Sequence, residues 1–134
     1  MRVRQSVPVL GVRDVATSMA WYQANLGFSA NPFPADAPHD FAILHRDMAE
    51  IMLRCAEVAP KAPRAYVWDV YLRLEDVAFR ALHETLGSRG LVTRRLERTF
   101  YGMAEFEIAD PDGHVIGLGV ELTPELEDLP QPVF

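Results

Sequence analysis

The sequence has only one cysteine, Cys55, and no apolar run long enough to cross a lipid bilayer. A single cysteine excludes a disulfide within the chain and a thiolate metal cluster. Its place beside the apolar run 51–53 predicts a buried, unreactive thiol. The N-terminus carries Arg2 and Arg4 but lacks the apolar segment of a secretory signal. These absences favour a cytoplasmic protein.

An excess of positive charge is also missing. Lys and Arg number 13 against 19 Asp and Glu, which gives a formal net charge of −6. Non-specific nucleic-acid binding needs basic patches, so we expect no nucleic acid as a partner. Because no apolar run can cross a bilayer, we also expect no membrane as a partner. The 134 residues, of which 49% are hydrophobic, suit a single globular domain with its own core.

One pattern in this sequence occurs twice. A strand-like segment at 6–13 runs into an amphipathic helix at 14–26, and about sixty residues later segment 66–74 runs into a helix at 76–87. Each copy continues into three further strand-like segments. The order β-α-β-β-β, read twice, predicts an α+β fold of two tandem βαβββ modules, with curved sheets around a shared cleft.

The turn and capping residues set the predicted boundaries. Asp14 and Asp76 are suitable N-caps, and Gly27 and Gly87 suit the helix ends. The other strands are expected at 28–33, 41–45, 50–55, 91–98, 103–109 and 114–122. The single domain, 1–134, is then divided into module one at 5–57, a linker at 58–65, module two at 66–122 and a C-terminal arm at 123–134.

Strand alternation assigns faces in segment 66–74. The residues expected to face the helix are Trp68, Val70, Leu72 and Leu74, together with Ile116 and Leu118 of the last strand. The residues expected on the concave face include Asp69 and Tyr71, with Glu105 and Glu107 nearby. Asp69 stands among apolar residues, where an unpaired carboxylate is costly, so it is a candidate for a functional role.

Several segments carry a family resemblance. They are 12–15 (VRDV), 21–22 (WY), 26–28 (LGF) and 106–116 (FEIADPDGHVI). Together they resemble the vicinal oxygen chelate superfamily, which includes glyoxalase I, extradiol dioxygenases, and fosfomycin and bleomycin resistance proteins. The resemblance covers about residues 5–122 and implies the two-module fold, while the superfamily hosts several chemistries.

Two regions look closest to the bleomycin-binding resistance proteins. They are the start, 6–10 with 13–16 and 26–29, and the run from Tyr101-Gly102 to Pro111. That resemblance implies a non-catalytic homodimer that sequesters a drug, with an exchanged N-terminal strand. Pro8 agrees with such an arm, although a plain edge-strand proline explains it equally well.

The resemblance also allows a test for a metal site. Metal-dependent members carry His, Glu or Gln at four inward-facing strand positions, which correspond here to Val7, Met52, Asp69 and Gly117. One oxygen ligand of four is too few for a divalent ion, so we expect neither a metal nor another cofactor. Surface positions are expected for the four histidines, His39, His45, His83 and His114.

Without metal ligands, the predicted cleft is an aromatic cup with a few charges. The candidate ligand-binding residues are Phe33, Phe41, Met52, Asp69, Tyr71, Tyr101, Met103 and Glu105. Aromatic and Met side chains suit a flat heteroaromatic ligand, and carboxylates suit a cationic group. At least half of this set can instead be ordinary packing. Glu105 and Glu107 can also simply pair with Arg94, Arg95 or Arg98 on the neighbouring strand.

Two functions follow from these observations. The first is non-catalytic binding of an aromatic, cationic small molecule such as a bleomycin-like antibiotic, which would confer resistance. The alternative is a lyase, isomerase or dioxygenase that uses a metal at a divergent site or Asp69 as a general base.

Overall fold

The computed structural model describes residues 1–132; Val133 and Phe134, the end of the predicted C-terminal arm, lie outside the described residues. The chain divides into two compact units, unit 1 at Met1–Lys61 and unit 2 from Ala62 onward. Each unit contains one four-stranded mixed sheet and one α-helix. The predicted α+β fold of two tandem βαβββ modules is therefore confirmed. Within 1–132, no helix is long and apolar enough to cross a membrane.

Unit 1 has the strand order β1-β4-β3-β2, with β1 parallel to β4 and the other pairs antiparallel. Its elements are β1 Val9–Val12, α1 Val15–Leu26, β2 Ser29–Phe33, β3 Phe41–Arg46 and β4 Ala49–Cys55. Helix α1 begins as predicted, since the Asp14 carboxylate accepts a hydrogen bond from the Thr17 amide at 2.9 Å. It ends at Gly27, whose φ of 67° is left-handed.

Unit 2 repeats the order as β5-β8-β7-β6, with β5 parallel to β8. Its elements are β5 Val70–Arg73, α2 Phe79–Ser88, β6 Val92–Arg98, β7 Met103–Ala109, β8 Val115–Glu121 and a 3-10 helix at Pro124–Leu126. The Phe79 ring of α2 lies 5.1 Å from the Phe106 ring of β7. Ile116 and Leu118 pair with Ile108 and Phe106, so they share the helix-facing side, as expected.

The second helix begins later than predicted. Asp76 has a φ of 53°, whereas an N-cap residue is extended, so it does not cap α2. Val77, expected on the apolar face, is 40% exposed, while Phe79 is 4% exposed and anchors the first turn. The helix also continues through Gly87 to Ser88. Packing of Phe79 against Phe106 therefore outweighs the local capping signal.

The prediction of a buried Cys55 is wrong. Cys55 is the last residue of β4 and its side chain is exposed. Its Sγ lies 3.8 Å from the carbonyl oxygen of Arg13. The apolar run before it is buried through Ile51 and Leu53, but at Cys55 the strand has reached the end of the sheet.

Candidate functional site

Two glycines of β8 leave room for aromatic rings on the sheet face opposite α2. Strand pairing sets Tyr71 beside Gly117, and a Cβ at Gly117 would lie 2.7 Å from Tyr71 Cδ2 and 2.9 Å from Trp68 Cδ1. The two rings thus occupy the space that a side chain at position 117 would need. A residue at Gly119 would likewise meet Tyr71 and Met103.

The prediction that Trp68 faces the helix is wrong. Strand β5 begins at Val70, two residues later than Trp68, so strand alternation does not fix the direction of the indole. The indole Nε1 donates a hydrogen bond to Glu107 Oε2 at 2.9 Å, on the face opposite α2. Its ring centroid is 4.8 Å from that of Tyr71.

Four charged side chains form the centre of this face, here named the Arg94 cluster: Arg94, Glu97, Glu105 and Glu107. Arg94 Nε donates to Glu107 Oε2 at 2.7 Å, Nη2 donates to Glu105 Oε1 at 2.8 Å, and Nη1 donates to Glu97 Oε1. The four side chains are between 1% and 6% exposed. One guanidinium faces three carboxylates, so the formal charge of the cluster is −2. The pairing of Glu105 and Glu107 with an arginine, one of the two expectations, is confirmed.

Two irregularities in β6 assemble the cluster. Val92 pairs with Ile108, Arg94 with Glu107 and Glu97 with Glu105, so β6 contains an extra residue between each successive pair. In a regular strand, residues three apart lie on opposite faces. The bulge at 94–97 instead turns Glu97 back to the face that holds Arg94.

Four aromatic residues, here named the aromatic rim, surround the Arg94 cluster: Tyr66, Trp68, Tyr71 and Tyr101. The Tyr71 hydroxyl donates to Glu105 Oε2 at 2.8 Å, and the Tyr101 hydroxyl lies 2.7 Å from both Glu105 oxygens. The Tyr66 hydroxyl donates to Glu97 Oε1 at 2.6 Å, and its ring centroid is 4.0 Å from Arg94 Cζ. Each ring is therefore fixed by a hydrogen bond to a buried carboxylate.

Parts of the rim remain exposed to solvent. Tyr66 is 37% exposed, Trp68 38% and Tyr101 47%, and the neighbouring Phe100 is 78% exposed. The Phe100 and Tyr101 rings stand edge to face, 5.0 Å apart. The surface that unit 2 offers here is thus made of ring faces, with the carboxylates behind them.

Two tyrosine hydroxyls of the rim and Arg94 keep their protons over a wide pH range. Burial raises the pKa of the Tyr71 and Tyr101 hydroxyls above the ordinary value, and the hydrogen bond to Glu105 raises each pKa further. Burial alone would lower the pKa of Arg94, but its hydrogen bonds to Glu107, Glu97 and Glu105 hold that pKa above its ordinary value. The phenols therefore stay protonated donors and Arg94 stays charged.

The residues predicted from the sequence fall into two groups, one in each unit. Phe33 pairs with Phe41, and Met52 pairs with Ile43 two residues after Phe41, so these side chains share the unit 1 sheet face opposite α1. In unit 2, Tyr71, Tyr101, Met103 and Glu105 share the face opposite α2. The structure brings the members of each group together on one sheet face.

Asp69 lies apart from the Arg94 cluster. It precedes β5 rather than lying in mid-strand, and its Oδ2 accepts a hydrogen bond from the Val115 amide at 2.8 Å. Its side chain is 30% exposed and lies 3.8 Å from His114 Nδ1. His114 is only 9% exposed, so the expectation of a surface position is wrong for this histidine. Its amide donates to Asp110, which folds the preceding turn inward.

Sequence reasoning missed Tyr66, Trp68 and Glu97, and it treated Arg94 only as a possible pairing partner. Tyr66 and Trp68 precede β5, so the alternation rule gives no valid direction for either. Arg94 and Glu97 are separated by the bulge, which carries no glycine or proline to mark it. The one usable signal was the number of charged residues in 94–107, three arginines and three glutamates, because a buried strand pair tolerates charges only when they pair with each other.

The residues present do not fit the metal site of metal-dependent relatives. Val7, Met52 and Gly117 have no suitable ligand atom, and the rings of Trp68 and Tyr71 fill the space at Gly117. Among residues 1–132, no three His, Cys, Asp or Glu side chains are arranged to hold an ion.

Comparison with known proteins identifies the fold family. The profile of the Glyoxalase/Bleomycin resistance protein/Dioxygenase superfamily matches residues 4–118. A virulence protein of Salmonella typhimurium is 25% identical, with a TM-score of 0.65 over 91% of this chain and 99% of its own. TioX from Micromonospora sp. ML1 is 17% identical, with a TM-score of 0.68 over 89% of this chain and 97% of its own.

A third structure carries the superfamily's name. The glyoxalase/bleomycin resistance protein/dioxygenase from Alicyclobacillus acidocaldarius is 16% identical, with a TM-score of 0.70 over 93% of this chain and 99% of its own. No protein of curated function matches the sequence significantly. The two structures with identities below 25% show a shared fold alone, but the profile match spans most of the chain. The chain belongs to the glyoxalase/bleomycin resistance protein/dioxygenase superfamily.

Proposed function

We propose that the aromatic rim of unit 2 binds a flat, cationic aromatic small molecule and holds it without converting it. The observation that carries this proposal is a set of partly exposed rings fixed over a buried cluster with a formal charge of −2. A cation over an aromatic face gains about 0.5–2 kcal/mol, depending on how far it is desolvated. The carboxylates behind the rings add to this attraction and disfavour anions.

The hydrogen bonds inside the cluster support binding rather than catalysis. Glu105 accepts from Arg94, Tyr71 and Tyr101, and Glu107 accepts from Arg94, Trp68 and the Tyr66 amide. The oxygens of both carboxylates are thus occupied by donors within the protein. The cluster therefore acts as a rigid support for the rings. Asp69, next to Trp68 in the sequence and 30% exposed, supplies a carboxylate that can contact a cationic group of the ligand.

A bleomycin-like antibiotic is the specific ligand within this proposal, and resistance by sequestration is the physiological role it implies. We further propose that the protein acts as a homodimer. Residues 1–8 precede β1, and the Pro8 carbonyl accepts a hydrogen bond from the Met52 amide at 2.9 Å, where the N-terminal segment joins the sheet.

Calorimetric titration with three tricyclic probes of similar size tests the binding proposal. The cation 9-aminoacridine should bind at least about tenfold more tightly than neutral acridone, and the anion acridine-9-carboxylate should bind most weakly. Bleomycin is titrated in parallel to test the specific ligand. Equal affinity for the three tricycles would overturn the electrostatic part of the proposal.

Two variants locate the binding surface. Trp68→Leu removes a rim ring and should weaken 9-aminoacridine binding, by about 0.5–1.5 kcal/mol for the lost ring contact beyond buried area. Trp21→Leu, the same change at the tryptophan of helix α1 in unit 1, is the matched control and should leave the affinity unchanged. Mass spectrometry of the recovered ligand should show it unaltered; a converted product would support the enzymatic alternative through Asp69.

A further inference from the structure

We propose that His83 of helix α2 is a positioning residue for the aromatic rim, although it lies on the opposite side of the sheet. It acts through the bulge at 94–97 of β6. The expected change in ligand affinity rests on the proposed function. The effect of His83 on the bulge and on Tyr66 does not, because it is a property of the unliganded protein.

The first link is a hydrogen bond from the bulge to the helix. Leu96 lies between the register pairs Arg94–Glu107 and Glu97–Glu105 and has no partner in the β7 register. Its amide donates to His83 Nε2 at 3.4 Å. A bulge takes one backbone group out of the ladder, and here an imidazole nitrogen satisfies it.

The second link holds the imidazole in place. The His83 ring packs edge to face on Phe106, with centroids 5.0 Å apart and an interplanar angle of 68°. Phe106 is fully buried and also contacts Phe79, which lies on the same helix as His83. Because Nε2 accepts a hydrogen bond, the ring is neutral and its proton lies on Nδ1.

The third link connects the bulge to the rim. Glu97 follows Leu96 directly, and its carboxylate accepts from Arg94 Nη1 and from the Tyr66 hydroxyl. Residues 94 and 97 share a face only while the bulge persists. Loss of the acceptor at His83 would free the bulge to shift, and Glu97 would then release the Tyr66 ring. His83 therefore fixes a rim residue that it does not touch.

Three variants separate positioning from bulk packing. His83→Gln keeps an acceptor, His83→Leu keeps volume without one, and His45→Leu removes an exposed histidine of unit 1 as a control. Amide exchange at Leu96 and Glu97 should accelerate at least about tenfold in His83→Leu and stay within about twofold of the parent in the other two variants.

The affinity for 9-aminoacridine should fall about threefold to tenfold in His83→Leu and recover in His83→Gln. Equal exchange in the Leu and Gln variants would overturn the inference, and so would faster exchange with unchanged affinity. If the parent protein does not bind 9-aminoacridine, the proposed function fails. The positioning role of His83 is then judged from the amide exchange of Glu97 and from the NMR resonances of the Tyr66 ring in the His83 variants. If His83→Leu does not fold, the NMR resonances of the His83 imidazole nitrogens in the parent protein test the inference instead. A proton on Nε2 would overturn it.

Discussion

The two units share one strand order, but different side chains occupy the sheet face opposite the helix in each unit. Both sheets place the first strand parallel to the last strand of the unit, with the same strand order. In unit 1 the face carries Phe33, Phe41 and Met52, and its exposed Arg54 lies over the Phe41 ring at 5.5 Å. In unit 2 the corresponding face carries the Arg94 cluster, in which all four side chains are buried.

This difference shows what a repeated supersecondary pattern specifies. The repeat fixes the order and pairing of the strands. The chemistry of the sheet face opposite the helix depends on the individual side chains in each unit. An exposed arginine such as Arg54 can keep its hydration, but the buried Arg94 must find its partners inside the protein. In our proposal, this burial of charge fixes the rings of the unit 2 face and makes the face selective.

The largest expected effect comes from removing the only cation of the Arg94 cluster. Arg94→Ala leaves three buried carboxylates without a counter-charge and should destabilise the protein by about 3–5 kcal/mol. Urea unfolding measures this change. Arg54→Ala in unit 1 is the matched variant and should cost at most about 1 kcal/mol, since it removes an exposed cation–π contact. Similar costs for the two variants would remove the contrast between the faces.

A smaller effect is expected from filling the space at Gly117. Gly117→Ala places a methyl group against Tyr71 and Trp68 and should cost about 1–3 kcal/mol, as overpacking does. It should also alter the tryptophan fluorescence, because the indole must move. Gly11→Ala of unit 1, where a Cβ would lie 3.1 Å from the Val58 Cγ1 methyl, is the control and should be milder. An unchanged stability and spectrum in Gly117→Ala would contradict the ring placement.

The Asp69 carboxylate should raise the affinity for a cationic ligand about tenfold. Asp69→Asn removes a partly exposed charge but keeps an oxygen that can accept from the Val115 amide. The affinity for 9-aminoacridine should fall at least about tenfold, or about 1.4 kcal/mol, while acridone binding stays constant. Asp76→Asn, at an exposed residue, is the control. An equal loss for both probes would assign Asp69 a structural role only.

The smallest effect is a pH dependence through His83. Burial lowers the pKa of His83 below its ordinary value, and the charge of Glu84 opposes this shift. As the pH falls, His83 is therefore protonated in the unfolded chain before it is protonated in the folded protein. Its contribution to the free energy of unfolding is complete above about pH 6.5 and is lost as the pH drops through the lower pKa of the folded state. The free energy of unfolding, from urea titrations at two pH values, should change more with pH in the parent than in His83→Gln. A parent and variant with the same pH dependence would contradict this.

Much of the fold could be predicted from the sequence. Strand β7 has the predicted bounds, and five of the other predicted strands differ from the observed ones by one residue at one or both ends. The strong local signals succeeded, such as the Asp14 cap and the Gly27 end of α1. The start of α2 was predicted wrongly because Phe79 gains more from packing on Phe106 than Asp76 gains from capping.

The site was predictable only in part. Period-two alternation put Tyr71 on the concave face with Glu105 nearby, and the structure puts both on one face of the unit 2 sheet. Tyr101 and Met103 were candidates for the same cup without a predicted face, and the structure places them beside Glu105 and Gly119. Alternation failed for Trp68, which lies outside β5, and it cannot place Arg94 and Glu97 across a bulge. Long-range hydrogen bonds to Glu107 and Glu105 decide these positions, and the sequence pattern contains no information on them.

The sequence by itself determined the two βαβββ modules and the faces of the regular strands, because each depends on local periodicity. Only the tertiary structure decided that one arginine and three glutamates share a buried centre, and that aromatic rings close over it. The physical reason is the cost of burying charge: each carboxylate must have donors from distant segments, and the set of donors that can reach it exists only after the sheet has formed.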